Sequence, residues 1–224
     1  KIENQEGVDN IDEIIEASYG IMVARGDMGI EVPGEKVPQI QKLIINKCIA
    51  AGKPVITATQ MLESMIKNPR ATRAEISDVA NAVLDGTDAI MLSGETAYGE
   101  YPLEAVQTMT RIAKEIESTR DQLNSSATDV KHIDIKRYIG KAAVKAAQNL
   151  DVAAIVVPTA TGKTARDVAS YRSKAPVYAA CIDGKGMKIL ALSYGVQAFS
   201  ITRDGGHKKN AINHLLTAKK LKED

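Results

Sequence analysis

Three short apolar runs recur along the first half of this chain at nearly equal intervals, and this rhythm restricts its fold more than any other feature. They are YGIMVARGD (19–27), GKPVITATQM (52–61) and GTDAIMLSGET (86–96), each bounded by Gly or Pro and followed by a polar cluster. Thirty-four residues separate Ile21 from Val55 and thirty-five separate Val55 from Ile90, the pitch of a repeated βα unit. The runs are apolar at successive positions instead of alternating, as parallel strands covered by helices are. Such a sheet is either open and doubly wound or closed into a barrel. In both, functional side chains gather at the carboxyl ends of the strands.

The intervening segments have helical spacing. Val37, Ile40, Ile44, Cys48 and Ala51 mark one face of a helix that Gly52 stops. Thr72-x-x-Glu75 is a capping box ahead of Ile76, Val79, Ala80 and Val83. Pro102 suits the first turn of a helix whose apolar side is expected to carry Leu103, Val106, Met109, Ala113 and Ile116. The polar, weakly periodic stretch 118–135 then reads as a boundary between a first domain, 1–117, and a second, 136–224. The second begins with a helix over about 136–149 and alternates strands VAAIVVP (152–158), APVYAACI (175–182) and QAFSI (197–201) with helices from about 164, near 186–194 and over about 207–221. It is a smaller α/β unit. The chain starts at Lys1-Ile2-Glu3-Asn4 with no initiator Met, and reads as a fragment of a longer protein, with maturation as the alternative.

Charge narrows the function. With 29 basic and 28 acidic side chains, no long-range field points to nucleic acid or an anionic membrane. The absence of Trp and the single Phe, Phe199, argue against a base-stacking platform. Cys48 and Cys181 are too few for a disulfide framework, and with no apolar run near membrane-spanning length the expectation is a soluble, cytoplasmic protein.

Among polar residues, Glu3 and Asp27 each follow or end an apolar run, with Lys1 two residues before Glu3 and so on the same strand face. If their strands are parallel neighbours, two carboxylates converge beside an ammonium. That set suits Mg²⁺ or Mn²⁺ with open positions for water or substrate oxygens, and Lys1 would face a phosphoryl group or oxyanion. The alternative is a surface ion pair between Arg25 and Asp27. Thr59 and Gln60 end the second run and Ser93 and Glu95 the third; a hydroxyl there binds ligand or caps a loop, and Glu95 could orient a water or pair with a base. PTATGKT (158–164) lacks the first glycine of a P-loop, since position 157 is Val. Thr159, Thr161, Gly162, Lys163 and Thr164 ahead of a helix remain a candidate phosphate site, against a plain capped turn. His132, His207 and His214 show no ligand spacing.

Taken together, KIENQEGVDNIDEI (1–14), IMVARGDMGIEVP (21–33), the long stretch 52–106 and YRSKAPVYAA (171–180) resemble the pyruvate kinase family in order and spacing. The resemblance implies a partial (β/α)8 TIM barrel, about strands 5–8, followed by an α/β C-terminal domain used in regulation and oligomerisation. It implies the last step of glycolysis: phosphoryl transfer from phosphoenolpyruvate to ADP, giving pyruvate and ATP with Mg²⁺ and K⁺, the K⁺ through residues mostly outside this chain. Lys1 then corresponds to the lysine at the transferring phosphoryl group and Glu3 and Asp27 to the metal-holding carboxylates. Gly26 and Asp27 match the cradle for the substrate carboxylate, and Thr59 the hydroxyl beside the enolate carbon. Arg25, Gln60, Ser93 and Glu95 would form a supporting network. Loop 159–164 resembles the part that takes a sugar-phosphate effector in regulated members, and Arg73 lies where the family's tetramers have a subunit interface. Met28 stands where leucine is commoner. The lid and first strands of the family lie outside the 224 residues, so the chain alone is expected to be inactive. A metal-dependent pyruvate-enolate aldolase or lyase, and a non-catalytic effector-binding or assembly module, are the rival readings.

Overall fold

The computed structural model describes residues 1–123, 134–150, 152–182, 184–201 and 207–217. The chain divides into two compact units, Lys1–Thr128 and Asp129–Asp224.

The first unit opens with two short helices, α1 (Gln5–Asp9) and α2 (Ile11–Ala17), which the apolar rhythm had not announced. Asn4 caps α1 by accepting the Gly7 N–H at 2.8 Å. Strand β1 (Ile21–Ala24) runs straight into α3 (Arg25–Glu31), and α4 (Val37–Ala51) returns the chain to β2 (Val55–Ala58). Gly52 ends α4 in the left-handed conformation, φ 65°, a backbone shape that glycine adopts without steric cost. A 3-10 turn (Glu63–Ile66), α5 (Arg73–Asp85), β3 (Ala89–Met91), α6 (Gly94–Ala97) and α7 (Pro102–Leu123) complete the unit. Its sheet is parallel throughout in the order β1-β2-β3, with Ile21 opposite Val55 and Ile56 opposite Ala89. Beyond β1, Ile2 forms a parallel bridge to Val23, so Lys1–Glu3 lie along that edge of the sheet.

This is an incomplete TIM barrel: a partial, unclosed parallel sheet. Among the described residues no strand lies against the far side of β3, and Ala89, Ile90 and Met91 are only half-buried, while Val23, Val55 and Ala58 are sealed. The core beneath the sheet joins Ile2, Ile15, Val23 and Val55 to Ile44, Ile45 and Cys48 of α4. A second cluster joins Met61, Leu62 and Met65 to Val79 and Ala82 of α5 and Ala105 and Met109 of α7.

Three helix faces differ from the expectation. On α7 the buried side is Ala105 and Met109 with Ile112 against them, while Leu103 and Val106 are exposed. On α5 it is Val79, Ala82 and Val83, with Ile76 exposed. Ala82 of α5 and Ala105 of α7 lie in one buried cluster with Val79 and Met109. On α4, Ala51 is exposed and Ile45 and Ile49 join the buried face. Helix α7 also continues to Leu123, into the stretch expected as linker; residues 124–133, with His132, lie outside the described part.

In the second unit, α8 (Ile135–Asn149), β4 (Ile155–Thr159), α9 (Lys163–Ala169), β5 (Val177–Cys181), α10 (Gly184–Ile189), β6 (Val196–Ser200) and α11 (His207–Thr217) alternate. The sheet is again parallel, in the order β4-β5-β6, and every residue of the central β5 is buried. Pro158 sits in the edge strand β4, where a missing N–H is tolerated. The helix expected near 186–194 is shorter and gives way to a 3-10 turn at Leu190–Leu192. Residues 218–221 of the expected last helix lie outside the described part.

Candidate functional site

Because the strands of the first sheet are parallel, whatever follows β1, β2 and β3 gathers at one edge. Ile2 hydrogen-bonds β1 on both sides: its N–H donates to Met22 O at 2.8 Å and its C=O accepts from Ala24 N at 3.0 Å. That anchoring brings Glu3 beside the start of α3. The Lys1 Nζ contacts Oδ2 of Asp27 at 2.7 Å and also Oε2 of Glu3. Two carboxylates from separate sequence segments therefore face one cation position, in a setting where about half of each side chain is open to solvent.

The electrostatics follow from this contact. The hydrogen bond to Asp27, then that to Glu3, raises the Lys1 ammonium above the ordinary lysine value. The hydrogen bond from Lys1, then its charge, holds Asp27 below the ordinary aspartate value. Among the described residues no cluster of three or more His, Cys, Asp or Glu could hold a metal ion. What Glu3 and Asp27 provide is a pair of hard oxygen donors aimed at a shared cation position, and Mg²⁺ bound through one or two carboxylates completes its shell with water and substrate oxygens. The donor set fits such an ion.

Arg25 does not pair with Asp27. It is buried, 8% exposed, and pairs with Asp78 of α5 at 2.6 Å. Its other terminal nitrogen donates to the carbonyls of Thr59, at 2.8 Å, and Gln60, at 3.2 Å. Both of those residues are left-handed, φ 68° and 54°. That conformation in non-glycine residues costs about 1–3 kcal/mol each, and for a β-branched threonine it is an outlier. The turn places the Thr59 hydroxyl between two backbone groups: it accepts from Gly26 N at 2.7 Å and donates to Ala58 O at 2.6 Å. A Cβ on residue 26 would lie 3.3 Å from that oxygen, a crowded contact that glycine avoids. Gln60 itself is exposed.

Glu95, at the start of α6, is 2% exposed, and its two oxygens accept the N–H groups of Leu62, at 3.0 Å, and Ser93, at 2.8 Å. It ties the loop after β2 to the loop after β3 through these two backbone N–H groups. Sequence reading missed Asp78 and Gln41, which fix Arg25 from α5 and α4. The available signal was an acid at position 78, adjoining the buried Val79.

In the second unit Thr159 is buried and accepts the Gly162 N–H at 3.0 Å. Gly162 is left-handed, φ 81°, and caps α9, while Thr161, Lys163 and Thr164 are exposed. Arg73 is exposed at the first position of α5. His214 stacks on Phe199 with ring centroids 4.5 Å apart.

Compared with known proteins, residues 1–106 match the barrel domain of pyruvate kinase and residues 137–224 match its alpha/beta domain. A pyruvate kinase of Borreliella burgdorferi is 53% identical over all 224 residues, which span 46% of that protein. One from Geobacillus stearothermophilus is 59% identical over 199 residues, covering 88% of this chain and 34% of the relative. The crystal structure of a pyruvate kinase from Cryptosporidium parvum superimposes with a TM-score of 0.89 at 41% identity, covering 99% of this chain and 46% of that one. The chain thus spans less than half the length of these relatives.

Proposed function

We propose that this chain, homologous to pyruvate kinases along nearly its whole length and so a member of that family, carries the metal- and phosphoryl-binding part of an enzyme that transfers the phosphoryl group of phosphoenolpyruvate to ADP, giving pyruvate and ATP. The observation that carries the reading is the shared contact of Lys1 with Glu3 and Asp27 at the carboxyl edge of a parallel sheet.

Phosphoryl transfer is mostly positioning and charge neutralisation. Glu3 and Asp27 would hold Mg²⁺ or Mn²⁺, which when bound supplies Lewis-acid stabilisation of the enolate and phosphoryl oxygens. Lys1 sits on a flexible, half-exposed stem within reach of both carboxylates, so the same ammonium serves a phosphoryl oxygen once those carboxylates are engaged. Gly26 and Asp27 line the place for the substrate carboxylate, and Thr59 stands over Gly26 as the hydroxyl beside the enolate carbon. In this state its proton goes to Ala58 O. Arg25, Ser93 and Glu95 keep these segments in register, and Gln60 presents its side chain to the same edge. Lys1 separates this reading from a metal-dependent pyruvate aldolase, which has no transferring phosphoryl group for it to neutralise.

K⁺ belongs to the whole enzyme, through residues mostly beyond this chain, and so does assembly as a tetramer with Arg73 at a subunit contact. The exposed Thr161, Lys163 and Thr164, on a turn that Thr159 and Gly162 hold, would receive the phosphate of a sugar-phosphate effector. The test of the central reading is Mn²⁺ binding to the 224-residue chain followed by electron paramagnetic resonance. Both Glu3→Gln and Asp27→Asn are expected to weaken binding at least tenfold without altering the fold. Unchanged affinity in both would remove the site.

A further inference from the structure

We infer that Arg25 is a positioning residue: its guanidinium clamps the left-handed turn at Thr59–Gln60 and thereby holds the Thr59 hydroxyl on the Gly26 N–H. The inference deepens the phosphotransfer reading, which it needs only for what that hydroxyl is used for.

The clamp is built entirely at the fork end of the side chain. One terminal nitrogen takes Asp78, at 2.6 Å, and Gln41 Oε1, at 3.4 Å; the other takes the carbonyls of Thr59 and Gln60 and approaches Met61 Sδ at 2.9 Å. Gln41 is itself fixed by Asp85, its amide donating at 3.0 Å. Nε of Arg25, though buried, has no hydrogen-bond partner among the described residues. A buried donor left unpaired is unfavourable, so the side chain is placed by what its fork reaches and not by the satisfaction of all its nitrogens.

What the fork reaches is a pair of carbonyls whose residues would not choose this conformation. Two consecutive non-glycine residues at positive φ persist only where surroundings over-determine them. Two carbonyls accepting from one cationic nitrogen supply that determination on one side, and the Asp78 carboxylate, anchored in α5, supplies the opposing charge. Lysine cannot replace the fork. A single ammonium can meet Asp78 or the two carbonyls, but lacks the planar spread that joins them.

The readout is local. The Gly26 N–H is bonded to the Thr59 hydroxyl, so amide hydrogen exchange at Gly26 reports whether that hydroxyl stays in place. The Ile21 and Ala24 amides, bonded to Pro54 O and Ile2 O, report the integrity of the sheet beside it. In the 224-residue chain, Arg25→Lys is expected to speed Gly26 exchange at least tenfold while Ile21 and Ala24 stay unchanged. Adding Gln60→Gly, which relieves the steric cost at one of the two left-handed positions, is expected to restore Gly26 protection. Unchanged exchange at Gly26, equal acceleration of all three amides, or no rescue by Gln60→Gly each overturns the clamp. Should Arg25→Lys not fold, Asp78→Asn takes its place under the same criteria. The measurement uses no metal, phosphoenolpyruvate or ADP. Mn²⁺ affinity unchanged by both Glu3→Gln and Asp27→Asn, with the expected Gly26 pattern, therefore sinks phosphotransfer alone; affinity weakened by both, with an overturned Gly26 pattern, sinks the clamp alone.

Discussion

The carboxyl of Asp27 is kept ionised by the ammonium it touches, and that contact fixes how the site responds to acid. Its value in the folded chain lies below the ordinary 3.8. A depressed carboxyl contributes an interaction that is present above the ordinary value and is lost as the pH falls through the folded one. The Lys1–Asp27 pair is therefore expected to survive mild acid, and an NMR titration of the Asp27 carboxyl should move back toward 3.8 in Lys1→Met. An unchanged titration would show that the pair does not set it. Both side chains are half-exposed, so the contact tunes charge at the site more than it stabilises the fold. Glu95 lies at the other extreme: sealed from solvent and bonded to two backbone N–H groups, it holds geometry.

Helix ends are where the elements respond most to single changes. Thr72 and Glu75 close both halves of a capping box, and Glu75 also accepts from Ser64 of the preceding 3-10 turn, at 2.6 Å to the backbone N–H. Thr72→Ala is expected to cost about 1 kcal/mol in denaturant unfolding. Burial opposes ionisation of Glu75, but its hydrogen bonds from Ser64 and Thr72 outweigh it and hold the carboxyl below 4.5. The cap's contribution is thus present above pH 4.5 and is lost as the pH falls through the lowered value, a dependence that Glu75→Gln should remove. Asp167 of α9 has the opposite sign. Desolvation raises it despite the charges of Arg137, Lys163 and Arg166, with Asp134 adding to the rise; Arg137 Nε stands 4.0 Å away. The contribution of Asp167 is full below 3.8 and declines as the pH rises through its raised value. Asp167→Asn should abolish that decline in the unfolding free energy of the second unit, followed by circular dichroism against pH.

At the scale of the molecule, the first sheet carries, among the described residues, three strands and one bridge where a closed (β/α)8 barrel has eight strands. The loops that would face Lys1 and Thr59 from the other strands are supplied by none of the described elements. The purified 224 residues are expected to show no conversion of phosphoenolpyruvate and ADP to pyruvate in a coupled assay; measurable turnover by this chain alone would overturn that. The βα rhythm, the parallel sheets, the stops at Gly52 and the cap at Thr72 were all legible in the sequence, because each depends on local spacing or on one residue's backbone preference. The candidate acids were legible as well, since an apolar strand that ends in charge marks a sheet edge. Which charges meet was not legible. Arg25 and Asp27 are near neighbours in the chain, yet the tertiary structure sends one inward to Asp78, fifty-three residues on, and the other outward to Lys1. Short helices such as α1 and α2, the buried faces of α5 and α7, and the left-handed turn at Thr59–Gln60 were likewise decided by packing. Sequence determines periodicity and local preference; only the folded chain decides which side chain lies close enough to override them.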